Sequence, residues 1–434
     1  MRTSASLLAA TLMVSFTSAG LAENWPQWRG PRGDGISTET GLAEKWPEGG
    51  PKKVWTAKVG AGYSSPIGYE DKVYIFTLQD DQDTLTALEA ATGKVAWSKG
   101  YLSKAKYEYP GTRATPTIDG KFIYTYGGGS DLVCRKLADG QAVWQLNVLA
   151  ETKGKNLRWG QASSPFIVGE LLYVQAGEQG PAVVAVNKAT GKIAWQSQPS
   201  GVMASYATPI LAEVEGVKQL IVFAGKSILA LDPATGKTLW SRPHETDWDI
   251  NAASPIYAGG RLFITSDYGT GCEMLKPGKA GVEVLWQNKE IKSKTTAPIL
   301  EKEYLYGASE GTLKCLHWPD GKVLWTCQNK RLNIGNDGGS IMRVGDKLIL
   351  MSETGKLSLA KATPGGVTLI SQIPLFSGND NWSSPLLYKG RLYAKGPKEL
   401  VCLDVAEART RDQVSGSGIG EFVQRLSPCN RLTD

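Results

Sequence analysis

A tripeptide of the Ser-Ser-Pro type returns along this chain at a spacing that implies a repeat architecture. The copies are Ser64-Ser65-Pro66, Ala114-Thr115-Pro116, Ser163-Ser164-Pro165, Ala207-Thr208-Pro209, Ala253-Ser254-Pro255, Thr296-Ala297-Pro298 and Ser383-Ser384-Pro385. A degenerate copy, Gly339-Ser340-Ile341, fills the one gap, so eight copies stand 43 to 50 residues apart. Length alone, 434 residues, would suggest about two or three domains. A repeat overrides that expectation, because each unit buries its faces only by stacking on its neighbours.

Each unit reads as about four short strands. An apolar run follows the tripeptide, as in Val73-Tyr74-Ile75-Phe76, Leu171-Leu172-Tyr173-Val174 and Leu262-Phe263-Ile264. A second run follows, as in Leu85-Thr86-Ala87-Leu88 and Ile228-Leu229-Ala230-Leu231. Then comes a tight turn: Ala-Thr-Gly-Lys at 91–94, 189–192 and 234–237, or Asp-Gly at 139–140 and 320–321. Glycine supplies the left-handed conformation such a turn needs. A closing strand carries Trp97, Trp144, Trp195, Trp240, Trp286 or Trp325, with Leu369 or Ile370 expected in that place in the seventh unit. Four antiparallel strands per unit at this period predict an all-β, eight-bladed β-propeller, with the tryptophans packed between blades. The eighth unit lacks its turn and tryptophan, and Lys53-Val54-Trp55 has their character. That N-terminal strand is expected to complete the last blade and so remove the open edges of the ring.

The expected organisation is a signal peptide at 1–22, a leader segment at 23–52, the propeller at 53–408 and a flexible tail at 409–434. Arg2, the apolar stretch from Leu7 to Phe16, and the small residues Gly20 and Ala22 fit a secretory signal cleaved after Ala22. The stretch is short for a bilayer span, so a periplasmic or secreted protein is expected. Of the six cysteines, Cys134, Cys315 and Cys402 fall at the repeat position held elsewhere by Ala87, Ala185 and Ala230. Three blades and one small-residue position point to buried free thiols. The formal net charge of +6 is spread over 48 basic and 42 acidic residues, which gives no footprint for nucleic acid.

The series Ser-Ser-Pro, Val-Tyr, Leu-x-Ala-Leu-x-x-x-Thr-Gly-Lys-x-x-Trp resembles the pyrroloquinoline-quinone (PQQ) repeat of quinoprotein alcohol dehydrogenases. It is similar also to the propeller of the BamB-like family of exported bacterial proteins, and Trp25-Pro26-Gln27-Trp28-Arg29-Gly30-Pro31 resembles their leader. The resemblance spans roughly Val54 to Asp404. It implies either a non-catalytic interaction scaffold or, as the alternative, a periplasmic PQQ-dependent alcohol or sugar dehydrogenase with PQQ and calcium as cofactors. Such dehydrogenases clamp PQQ with a disulfide between adjacent cysteines, and no two cysteines are adjacent in this sequence. Nor is there a Cys-x-x-Cys-His for covalent haem. The BamB lipoprotein carries a lipid on a cysteine, and none lies near Ala22.

Function in a propeller sits on loops at one face and around the channel. Residues just before each tripeptide should crowd the channel mouth: Tyr63, Arg113, Trp159, Gln161, Tyr206, Asn251, Lys294, Thr295, Asp337, Asn381 and Trp382. Aromatics among cations and amides suit a planar ring or a sugar. Asp247, Asp249 and Asn251 place oxygens at alternate positions, a weak calcium pattern without the glycine and terminal glutamate of an EF-hand loop. The loops Ser98 to Arg113 and Gln145 to Gln161 are expected to be the longest, with Tyr101, Tyr107, Tyr109, Arg158 and Trp159 on a rim suited to proteins. Only His244 and His317 exist. That excludes a histidine-rich metal site and leaves a Ser-His-Asp hydrolase little to work with. The expected partners are envelope proteins or an extended ligand on the loop face.

Overall fold

A computed structural model describes residues 23–104, 108–198 and 202–407. The signal and tail assignments, and Tyr107 and Cys429, lie outside these residues. Among the described residues the fold is eight sheets of four antiparallel strands, one of them extended by a short parallel strand from the leader. Blade 1 comprises Ile67–Tyr69, Lys72–Gln79, Gln82–Glu89 and Val95–Leu102. The succession repeats in blade 2 (117–147), blade 3 (166–196), blade 4 (210–243), blade 5 (256–288), blade 6 (299–326) and blade 7 (339–374), and blade 8 (386–404) takes as its fourth strand Lys52–Lys58, paired antiparallel with Glu399–Asp404. The ring therefore closes through the N-terminal strand, as the sequence predicts. The one α-helix among the described residues is Val148–Thr152, capped by Asn147 Oδ1, which accepts from the Ala150 N–H.

The turn glycine and the closing tryptophan work together across blades. Gly191 has φ +72°, and a Cβ there would lie 2.6 Å from Cδ2 of Trp144 in the preceding blade. Trp144 Nε1 donates to Lys188 O of that same turn at 2.9 Å. Gly236 and Trp195 repeat the arrangement, with Nε1 donating to Pro233 O at 3.1 Å. Glycine thus serves both the left-handed turn and the close seat of the indole. Blade 5 lacks this turn, and Gln219 replaces it: Trp240 Nε1 donates to Gln219 Oε1, whose Nε2 donates to Gly278 O. In the third strands Ala87, Ala185, Ala230, Cys134, Cys315 and Cys402 each face a tryptophan. Cys134, Cys315 and Cys402 are buried free thiols. Burial pushes the thiol of Cys315 up to about 12, which makes it inert at neutral pH.

In blade 7 the expectation needs correcting. The register pairs Leu359 with Ser371 and Ala360 with Leu369 across a bulge, so Ser371 holds the tryptophan position rather than Leu369 or Ile370. Its hydroxyl accepts from the backbone N–H of Trp46 at 3.0 Å. The leader thus brings a buried indole to the one blade that lacks its own.

Two loops are also shorter than expected. Ser98 to Leu102 extend the fourth strand of blade 1, and Gln145 to Thr152 are strand and helix. Tyr101 belongs to that strand, and its hydroxyl lies against Asp131 O.

A row of hydroxyls gives the recurring tripeptide a role along half of the ring. The residue before the proline lends its backbone N–H to the hydroxyl at the same position one blade on. Ser384 donates to Ser65, Ser65 to Thr115, Thr115 to Ser164 and Ser164 to Thr208, at 2.9 to 3.1 Å. Proline fixes the backbone that follows, and each bond ties two blades at the channel wall. The series stops at Thr208: in the next blade Ser254 accepts from the leader instead, and after it Ala297 has no hydroxyl, so the leader fills that sector. Trp28 Nε1 donates to Ser254 Oγ at 3.2 Å. Arg29 donates to Ala297 O at 2.8 Å and Pro298 O at 2.6 Å, and also to Gly33 O and Asp34 O. Trp25 bridges to Gly68 of blade 1, and Ile36–Ser37 runs parallel to Gly339–Val344 of blade 7. The leader therefore crosses the channel and touches opposite sides of the ring.

Candidate functional site

The channel opens on the loop face as a cup of about 290 Å³. Its lining follows from the repeat. The residue three places before each proline points inward: Tyr63, Arg113, Ala162, Tyr206, Ala252, Thr295 and Trp382 all line it. Trp159, Lys294 and Asp337 reach it from adjoining loop positions, so most of the expected mouth residues converge. Trp28 lines both the cup and the narrow space behind it. The leader indole is the floor of the cup.

Three expected residues stand behind the wall instead. Gln161 is buried, and its Nε2 donates to Asn156 Oδ1 and Ala176 O. Asn251 is buried and donates to Ala224 O and Gly225 O. Asn381 is buried and donates to Glu353 O. Each lies next to a residue that turns its side chain the other way, and each braces a loop through its amide. The same commitment weakens the calcium pattern. Asn251 Oδ1 already accepts from Ser266 Oγ at 2.6 Å, while Asp249 faces Lys226 at 3.9 Å. Asp247, Asp249 and Asn251 thus do not offer three unoccupied oxygens to one ion.

Two aromatic walls face each other. On one, Tyr63 stacks on Trp382 at 4.8 Å, Tyr109 meets the same indole at 5.5 Å, and the Arg113 guanidinium lies 5.6 Å from the Tyr63 ring centre. Arg113 also donates to Gly111 O and Tyr109 O, which fixes the loop that carries it. On the other, Trp159 and Tyr206 lie 6.2 Å apart, and Arg158 sits over Trp159 at 4.9 Å and over Trp248 at 4.6 Å. Trp248 is 60% exposed on the rim. Lys294 pairs with Asp337 and lies 5.2 Å from the Tyr268 ring. Burial works against the Lys294 charge, but Asp337 and Tyr268 outweigh it and raise its pKa. Burial pushes the Tyr63 phenol up to about 12, helped by Asp380, so it serves as a neutral donor at neutral pH. Trp28, Glu108 and Tyr268 are lining residues that the tripeptide spacing does not reveal. Trp28 arrives from a non-repeating segment, and the other two from loops of irregular length.

Beside the cup runs a buried polar chain with the order of a hydrolase triad. Ser266 Oγ lies 3.0 Å from His244 Nε2, and His244 Nδ1 lies 3.0 Å from Glu273 Oε1. Arg242 pairs with the same carboxylate at 3.0 Å. Burial opposes ionisation of Glu273, but His244 and Arg242 prevail and lower its pKa. Ser266 is 1% exposed and gives its hydroxyl hydrogen to Asn251. A nucleophile must be reachable and hydrogen-bonded to its base, so this chain braces the rim of blades 4 and 5. His317 pairs with Asp320 on the surface at 2.7 Å.

The family model described as outer membrane protein assembly factor BamB matches residues 46–162 and 108–327. The BamB of Yersinia pestis is 24% identical over 297 residues, covering 64% of this chain and 71% of that protein. The BamB of Burkholderia pseudomallei (strain K96243) is 24% identical over 351 residues, covering 70% and 86%. Among solved structures, BamB from Moraxella catarrhalis superposes with a TM-score of 0.59 at 14% identity, covering 83% of this chain and 99% of that one. The quinohemoprotein alcohol dehydrogenase from Comamonas testosteroni gives 0.61 at 12% identity, covering 93% and 83%. At these identities the structural likeness speaks for the fold alone.

Proposed function

The chain belongs to the family of the outer membrane protein assembly factor BamB, and from that membership we propose that it is an exported, non-catalytic binding scaffold of the cell envelope. Its loop face, with the aromatic cup at the centre, would receive an envelope protein or an extended ligand. The observation that carries this reading is the state of the polar groups around the cup. Lys294 is paired with Asp337, Arg113 is held on two carbonyls, and the Ser266–His244–Glu273 chain is sealed from it. Such groups shape and orient a bound partner, and none is poised as an acid, base or nucleophile. Among the described residues no helix is long and apolar enough to cross a membrane.

The dehydrogenase alternative asks the cup to hold PQQ, a tricarboxylate, with calcium. The residues present do not fit that charge. Both lining cations are already engaged, and Glu108 and Asp337 add two carboxylates to the lining of the same cup. Purified protein titrated with PQQ, with and without calcium, should keep its melting temperature. A saturable upward shift would overturn the scaffold reading, because any ligand of the native state stabilises it by mass action. The positive arm is photo-crosslinking from the position of exposed Trp248 in intact cells. The expected product joins the protein to a subunit of the outer-membrane assembly machinery, and an adduct-free rim would count against a protein partner there.

A further inference from the structure

Resting on the loop face as the binding face, we propose that the extended ligand is a neutral glycan, with its terminal ring inside the cup and the next ring on Trp248. Three observations converge on this class. First, the aromatics form a track rather than a patch. Trp248 on the rim, Arg158, Trp159 and Tyr206 follow one another at 4.6, 4.9 and 6.2 Å from solvent into the cup. A track that starts outside a blind pocket suits a chain entering by its end. Trp28 stops it at the floor.

Second, the charges inside are balanced. Arg113 and Lys294 stand against Glu108 and Asp337, so neither an anion nor a cation gains overall. A phenyl from a protein partner would desolvate both signs and return no hydrogen bonds, and an indole would return only its one N–H and no acceptor. A ring bearing hydroxyls both donates and accepts, so it can meet carboxylates and cations at once. Its axial C–H bonds are weakly positive and fit the electron-rich faces of Trp159 and Tyr63. Third, the volume of about 290 Å³ lies at the small end of ligand sites, which limits the cup to one or two rings. Trp248 itself sits at φ +65°, and Asp249 after it at φ +56°. A bulky residue in that region is strained. The turn thus holds an indole out in solvent with no core to reward it, a pattern found at ligand clamps.

The test uses the purified mature chain on an array of neutral and acidic mono- and oligosaccharides, followed by calorimetric titration of the best neutral oligomer and its monosaccharide. Neutral oligomers should bind saturably. Trp248→Ala should weaken the oligomer about tenfold, within the range of a lost aromatic contact, and leave the monosaccharide unchanged. Trp159→Ala should weaken both, and Trp159→Phe should recover much of the loss, which separates the contact from a folding defect. Failure of the folded protein to bind any glycan overturns the proposal, as does binding indifferent to Trp248. A protein that still crosslinks to an assembly subunit while ignoring every glycan overturns the glycan assignment and leaves the scaffold standing.

Discussion

Asp83 and Asp131 meet at the interface of blades 1 and 2, both 3% exposed or less. Burial, with the nearby Asp131 charge, raises the Asp83 carboxyl from 3.8 to about 6, against the hydrogen bonds from Ser103 and Tyr101. A carboxyl raised in the native state favours folding while it is protonated. Its contribution is full below about pH 4 and is lost as pH rises through about 6. Asp83→Asn should therefore be more stable relative to wild type at pH 7 than at pH 4, by at most about 3 kcal/mol. Denaturant melts at the two pH values measure this, and a difference of the opposite sign would sink the assignment. Ser266 gives a second residue-scale prediction. A fluorophosphonate probe should leave the folded protein unlabelled, because the hydroxyl is closed off and bonded to Asn251; labelling at Ser266 would show that the chain opens and works as a triad. Single residues were only partly legible from the sequence. Tyr63, Arg113, Tyr206 and Trp382 share a register before the tripeptide and were found by it. Gln161, Asn251 and Asn381 lie beside that register, and neighbouring residues on an extended backbone face opposite ways. A shift of one place is enough to move a side chain from the cup to the wall.

The leader shows how an element can escape a reading based on repeats. Its tryptophans and Arg29 stand in a segment that occurs once, so no periodicity tells where it lies. The structure puts it across the channel, where the row of hydroxyls stops and leaves carbonyls to be met. Arg29 meets two of them, Ala297 O and Pro298 O, together with Gly33 O and Asp34 O of the leader itself, and burial lowers its pKa to about 10, which still leaves it charged. Arg29→Met should cost about 2–4 kcal/mol by stranding those acceptors. Arg32, three residues on, is half exposed and paired with Glu23 and Asp34. Arg32→Met should stay within about 0.5–1 kcal/mol of wild type. Thermal melts of the two variants separate anchoring from general loss of charge, and equal effects would refute the clamp. Because Trp28 adjoins Arg29, the same variant should loosen the cup floor and change the near-ultraviolet circular dichroism of the indoles.

At the scale of the molecule, stability depends on whether the ring is shut. Most blades are held to the next by an indole donating to a carbonyl, and Trp55 does this at the seam, with Nε1 donating to Ala90 O at 3.0 Å and its ring seated against Gly93. Trp195 makes the equivalent contact between blades 3 and 4. Either tryptophan replaced by alanine removes comparable packing, about 3 kcal/mol. The two sites differ in what the backbone does next. Trp195 belongs to a hairpin whose strand is continuous with its own blade, so its loss loosens one interface in a ring that stays closed. Trp55 lies on the strand that reaches blade 8 from the far end of the chain, through pairs such as Thr56 with Val401 and Ala57 with Leu400. Weakening it opens an edge at which the ring can unzip. Trp55→Ala should therefore lose amide hydrogen-exchange protection first in Lys52–Lys58 and Glu399–Asp404, ahead of global unfolding, whereas Trp195→Ala should lower protection evenly. The seam was legible in the sequence because blade 8 visibly lacks its last strand. Even protection in both variants would mean that the leader, which ties blades 1, 2, 5, 6 and 7 from below, keeps the ring closed without the strand.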